Sequence, residues 1–94
     1  MRKRLELEIE GEKYTICRLS LGEQNDSESK SIEINEDGKI TKFNAHELML
    51  WQLYYGLDKI YPIEQIKEMD KVVANELFRK ITEFNAVPPL SKKE

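Results

Sequence analysis

Cysteine and histidine are nearly absent, with one of each. A lone cysteine closes no intrachain disulfide, and one histidine with one cysteine cannot build a structural zinc site. No run approaches the roughly 20 apolar residues that a membrane span needs, so no membrane partner is expected. The start, Met1-Arg2-Lys3-Arg4, leads into alternating charge instead of an apolar block, which predicts no signal peptide. Four glycines and three prolines are too few for a fibrous repeat, and no glycine-rich phosphate loop or Gly-x-Ser-x-Gly elbow is present. What remains is a 94-residue chain, 39% hydrophobic and 35% charged, the make-up of one small domain with a modest core.

Charge bears on partners. The net charge is −3, and the acids concentrate between Gly22 and Lys39, where six acids face two lysines for a local net of −4. Basic residues gather at Arg2, Lys3 and Arg4 and again at Lys92 and Lys93, and read as solubilising, frayed ends. A nucleic-acid-binding domain shows a basic patch or stripe, so no nucleic acid is expected as a partner. A basic arm at Arg2, Lys3 and Arg4 is the minority reading.

Leu5, Leu7 and Ile9 alternate with Glu6, Glu8 and Glu10, the period of a half-buried strand. Gly11-Glu12 is expected to form a two-residue type II′ turn. Pairing Glu10 with Lys13 then sets Ile9 opposite Tyr14, Leu7 opposite Ile16 and Leu5 opposite Arg18. Both strands of this hairpin bury one face, and a lone hairpin is marginal in water, so helices must cover it.

Those helices have readable ends. Asn44 can cap a helix over residues 45–57, with Glu47 as return partner, Phe43 stapled onto Leu48, and Gly56 marking its fraying end. Pro62 opens a short helix as its first residue. Asp70 caps a third, from Lys71 to Phe84 or Asn85, with Val73, Ala74, Leu77, Phe78, Ile81 and Phe84 on one face. The segment from Ser20 to Phe43 is ambiguous. Ser20-Leu21-Gly22-Glu23 has the form of a capping box and favours a helix to about Ile32 followed by an acidic loop, yet 31–35 and 39–43 also read as a second hairpin. Either element would be solvent-exposed, because its first part has little apolar face. The expected architecture is α+β: an N-terminal β-hairpin packed on a small bundle of three to four helices, one domain over 1–87, and a flexible C-terminal tail over 88–94.

Candidate chemistry is thin. His46 sits in a first helical turn beside Glu47, but adjacent helical residues point about 100° apart and do not face each other. Cys17 lies mid-strand, opposite in face to Tyr14 and Ile16 and far along the chain from the histidine a nucleophile would need, so it reads as a small packed side chain. The acids around Glu33, Glu36 and Asp37 lack the spacing of an EF-hand loop. No catalytic, cofactor or metal site is expected, and the chain is read as a non-enzyme.

The helix over 45–57 is of a different kind. Leu48, Met49, Leu50, Trp51, Leu53, Tyr54, Tyr55 and Leu57 cover nearly its whole circumference, far more than a single stripe. Two readings stand side by side. Either the domain wraps this helix entirely, or one flank, Trp51, Tyr54 and Tyr55, faces a protein partner or a second copy in a homo-oligomer.

Taken in order, these residues resemble a phage tail assembly chaperone. Leu19-Ser20-Leu21-Gly22-Glu23-Gln24-Asn25-Asp26 is similar to the Leu-Thr-Leu-Gly-Glu start that follows the hairpin in that family. Asp37-Gly38-Lys39-Ile40, the apolar helix ending Tyr55-Gly56-Leu57, and the stretches Ile66–Asp70, Val73–Phe78 and Glu83–Asn85 continue the resemblance over most of the chain. The resemblance implies a non-enzymatic viral or proviral chaperone in the host cell cytoplasm. It would coat the long, apolar tape-measure protein during tail morphogenesis and help to recruit the tail-tube subunit. The alternatives are a virion structural or connector protein that oligomerises through its aromatic helix, and a small host regulator of nucleic acid.

Overall fold

The computed structural model describes residues 2–86; residue 87 and the expected tail over 88–94 lie outside them. The order of elements is β1 (Arg4–Ile9), β2 (Glu12–Cys17), α1 (Leu21–Lys30), β3 (Ile32–Ile34), β4 (Ile40–Phe43), α2 (Ala45–Gly56), α3 (Ile63–Lys67) and α4 (Lys71–Asn85). The fold is α+β, with an N-terminal hairpin followed by four helices, as the sequence predicts.

The first hairpin forms with a different turn. Its loop is Glu10-Gly11, with φ of 51° and 83°, so both central residues are left-handed, as a type I′ turn requires. Pairing therefore runs Ile9 to Glu12, Leu7 to Tyr14 and Leu5 to Ile16, not Ile9 to Tyr14 as the expected Gly11-Glu12 turn would have it. The type I′ geometry matches the right-handed twist of the strands. Because the register differs by two positions, every side chain keeps its expected face.

Helix ends largely follow the caps. Ser20 and Glu23 close a reciprocal capping box at α1. The Asn44 side chain accepts from the amides of His46 and Glu47, and that of Asp70 from Val72 and Val73. Three local expectations change. Glu47 does not return to the cap but accepts the indole N–H of Trp51 at 3.2 Å. Pro62 occupies the N-cap position, not the first helical one. Gly56 ends α2 as expected but does not fray: it is buried, and Ile81 of α4 lies directly on it.

Both readings of the ambiguous segment come true in succession. Residues 21–30 are helical, and the expected acidic loop is the turn of a second hairpin, β3–β4. The Asn35 side-chain oxygen accepts from the amides of Asp37 and Lys39 and so folds the turn on itself.

The core is Ile9 and Ile16 of the first hairpin, Leu53 and Leu57 at the end of α2, Ile66 of α3, and Val73, Ala74, Leu77 and Ile81 of α4. α2 is the hub: it packs against α1, α3, α4 and β2. α1 contributes almost nothing apolar, and its single buried residue is Ser27. The two hairpins are separate two-stranded sheets.

The N-terminal arginines are not frayed. Arg2 pairs with Glu23 of α1 at 3.0 Å, and Arg4 pairs with Asp58 at 2.8 Å. Asp58 and Lys59 follow α2 in left-handed conformation, which turns the Asp58 carboxylate towards β1. The Arg4 guanidinium holds the Asp58 carboxyl below its usual range.

Candidate protein-binding surface

Trp51, Tyr54 and Tyr55 are brought together as the sequence implies. Their rings form a cluster, with centroids 5.6 Å apart for Trp51–Tyr54, 6.2 Å for Trp51–Tyr55 and 5.3 Å for Tyr54–Tyr55. Tyr54 and Tyr55 lie three and four residues after Trp51 on one helix, so each meets the Trp51 ring on its flank. All three are half-buried. The flank is therefore neither sealed nor free.

What half-covers it is α1, and the seam is polar. The Tyr55 hydroxyl donates a short hydrogen bond to the Asp26 carboxylate. Gln52 donates to Gln24 at 3.3 Å and to Ser27 at 3.5 Å. The Lys30 ammonium sits 4.9 Å from the Trp51 ring centroid, while also pairing with Asp26 at 2.9 Å. Tyr55 lowers the Asp26 carboxyl from its ordinary value, with Lys30 helping. In return the Asp26 carboxylate, followed by burial, pushes the Tyr55 hydroxyl up to about 12. The expectation that α1 would stand clear in solvent thus gives way to a polar cover over an aromatic flank.

The most exposed apolar cluster lies elsewhere. β3 and β4 pair Ile32 with Phe43 and Ile34 with Ile40 across a bulge, which sets these four on one side of the ribbon, while Glu33 and Lys42 face each other on the other. Ile34, Ile40 and Phe43 remain 58%, 62% and 57% exposed. Beside them runs a groove of about 630 Å³, walled by Asn25, Glu28 and Ser29 of α1 and floored by Ile32, Ile40, Phe43 and Leu48. The sequence offers this hairpin as an alternative to an acidic loop, but the acids interleaved with the isoleucines mask its apolar face. The alternation of Ile32 and Ile34, answered by Ile40 and Phe43 beyond a turn, is the signal that marks it.

The residues weighed for chemistry lie apart. His46 is exposed at the start of α2. Cys17 is fully buried; its thiol donates to the Tyr55 carbonyl at 3.3 Å and accepts from Arg2 at 3.7 Å. Arg18 is held away from it, donating to the Phe84 carbonyl and lying 5.0 Å from that ring. Among the described residues no helix is long and apolar enough to cross a membrane, and no three His, Cys, Asp or Glu side chains are grouped to hold a metal ion. No family model matches the chain, and no curated protein or solved structure is significantly similar to it.

Proposed function

We propose that this chain is a non-enzymatic protein-binding module, a viral or proviral tail assembly chaperone that holds the apolar tape-measure protein in the host cytoplasm during tail morphogenesis. The observation that carries the binding role is the apolar face of β3–β4, whose Ile34, Ile40 and Phe43 stay exposed although the chain folds a proper core elsewhere. Apolar side chains clustered at a surface mark an interaction site more often than the same residues scattered singly. The half-covered rings of Trp51, Tyr54 and Tyr55 add a second apolar surface on the adjoining helix. The tape-measure assignment, with the tail-tube subunit as second partner, rests on the sequence resemblance.

Co-expression tests it. The chain is expected to co-purify with the product of a neighbouring long helical reading frame, to raise the soluble fraction of that product, and to be missing from purified particles. Recovery of the chain in particles by mass spectrometry would favour the virion-connector alternative. Failure to co-purify would remove the chaperone assignment.

A further inference from the structure

Resting on that protein-binding reading, we propose that the groove between α1 and the β3–β4 face docks an amphipathic helix whose apolar stripe is flanked by lysine or arginine. Three features select this occupant. First, the apolar side chains Ile32, Ile40 and Phe43 stand on the face of the ribbon, and Leu48 of α2 continues the floor. A strand added to an edge would leave such a face uncovered, whereas a helix laid along it inserts residues at i, i+3, i+4 and i+7. Secondly, α1 walls the groove with short polar side chains, Asn25 and Ser29, which leave room for a helix to lie beside it.

Thirdly, the charge around the groove is acidic on balance. Glu28 is the single charged side chain among the lining residues. At the turn of the same hairpin Glu36 and Asp37 stand exposed and outnumber the exposed Lys39. The other neighbouring cations are directed elsewhere: Lys30 is held by Asp26 and Trp51, and Lys42 lies across the ribbon from the groove, in a cleft shared with Glu33 and Glu47. Basic flanks on the incoming helix meet this rim favourably. A second copy of the chain would not, because two-fold pairing through this face sets acidic rim against acidic rim.

The test uses two synthetic helical peptides of about 18 residues, roughly 27 Å long as helices, with the same leucine stripe. One carries lysine flanks and the other glutamate flanks. Titrated into the isotope-labelled chain, the lysine peptide is expected to shift amides in residues 25–32 and 40–48, less strongly at high salt, while the glutamate peptide shifts none. Ile40→Ser and Phe43→Ser each weaken lysine-peptide binding tenfold or more, and Glu28→Lys inverts the preference between peptides. All three residues are exposed, and the single tryptophan reports whether each variant is folded. The proposal is overturned if the peptides bind alike, if the shifts centre on Trp51 and Tyr55, if neither peptide binds at millimolar concentration, or if the chain self-associates through this face and Phe43→Ser abolishes that. Co-purification of the long-gene product with the wild-type chain, undiminished in Ile40→Ser and Phe43→Ser, overturns the groove while leaving the chaperone assignment standing. Loss of co-purification by the wild type removes the assignment itself.

Discussion

Gly56→Ala is the sharpest probe of how α2 and α4 meet. A Cβ at position 56 would lie 2.5 Å from Cδ1 of Ile81 and 2.9 Å from both its Cγ1 and Cγ2. Only the first of these atoms ends a flexible arm. The two γ carbons are fixed by the stiff χ1 of a β-branched residue in a helix, and Ile81 is itself buried. Overpacking of this kind costs about 1–3 kcal/mol. Against it stands the gain from replacing glycine within a helix, about 0.5–1 kcal/mol. The expected net is a destabilisation of about 1–2 kcal/mol, which for a domain of this size is a fall of roughly 5–15 °C in Tm. Urea denaturation followed by the fluorescence of Trp51, the only tryptophan, measures it directly. A double-mutant cycle identifies the cause. Ile81→Val alone costs about 0.5–1.5 kcal/mol, but it removes the closest carbon, so the pair together should fall short of the sum by about 0.5 kcal/mol or more. A Gly56→Ala protein as stable as the wild type, or a cycle that is strictly additive, refutes the close approach.

Other outcomes follow from the same contacts. Leu77→Ala, at a fully buried position, should lose about 2–5 kcal/mol, and Phe78→Ala, half-buried, clearly less; chemical denaturation of both variants checks the order. Glu10→Asn should stabilise the chain by roughly 0.5 kcal/mol, because asparagine tolerates the left-handed conformation that the type I′ turn imposes, and a rise in Tm reports it. The Tyr55 hydroxyl is raised in the fold, so its contribution is complete below pH 10 and is lost as pH climbs from 10 towards about 12. Tyr55→Phe should flatten that alkaline loss in a pH series of thermal melts. The Asp26 carboxyl is lowered, so its contribution is present above pH 3.8 and fades as pH falls below that value; Asp26→Asn should weaken the acid limb and, by removing the carboxylate that raises Tyr55, the alkaline loss as well.

Legibility in the sequence followed the range of the forces. Strand alternation at Leu5–Ile9 and the caps at Ser20, Asn44 and Asp70 act within a few residues, and each forms as the sequence implies, as does the apolar stripe of α4. The turn of the first hairpin is not fixed locally, because both Gly11-Glu12 and Glu10-Gly11 offer a glycine where positive φ is wanted, and strand twist decides between them. Arg2 and Arg4 look like loose ends in the sequence because their partners, Glu23 and Asp58, are 21 and 54 residues away. Gly56 carries a local helix-ending signal, while its close packing depends on Ile81 of α4. The aromatic flank is legible from spacing on one helix; its polar cover is not, since hydrogen bonds from Tyr55 to Asp26 and from Gln52 to Gln24 carry no hydrophobic period. The exposed β3–β4 face was hidden by the acids interleaved with its isoleucines.

The polar seam between α1 and α2 has a consequence for motion. The bonds that hold it, Asp26 to Tyr55, Gln24 and Ser27 to Gln52, and Lys30 over Trp51, join groups that water can satisfy almost as well. Lifting α1 away therefore forfeits little of the buried hydrocarbon that stabilises the rest of the molecule. Amide hydrogens of residues 21–30 should exchange with solvent through openings far cheaper than global unfolding, while those of α4 wait for the whole domain to come apart. During each such excursion the rings of Trp51 and Tyr55 stand bare on an otherwise intact scaffold.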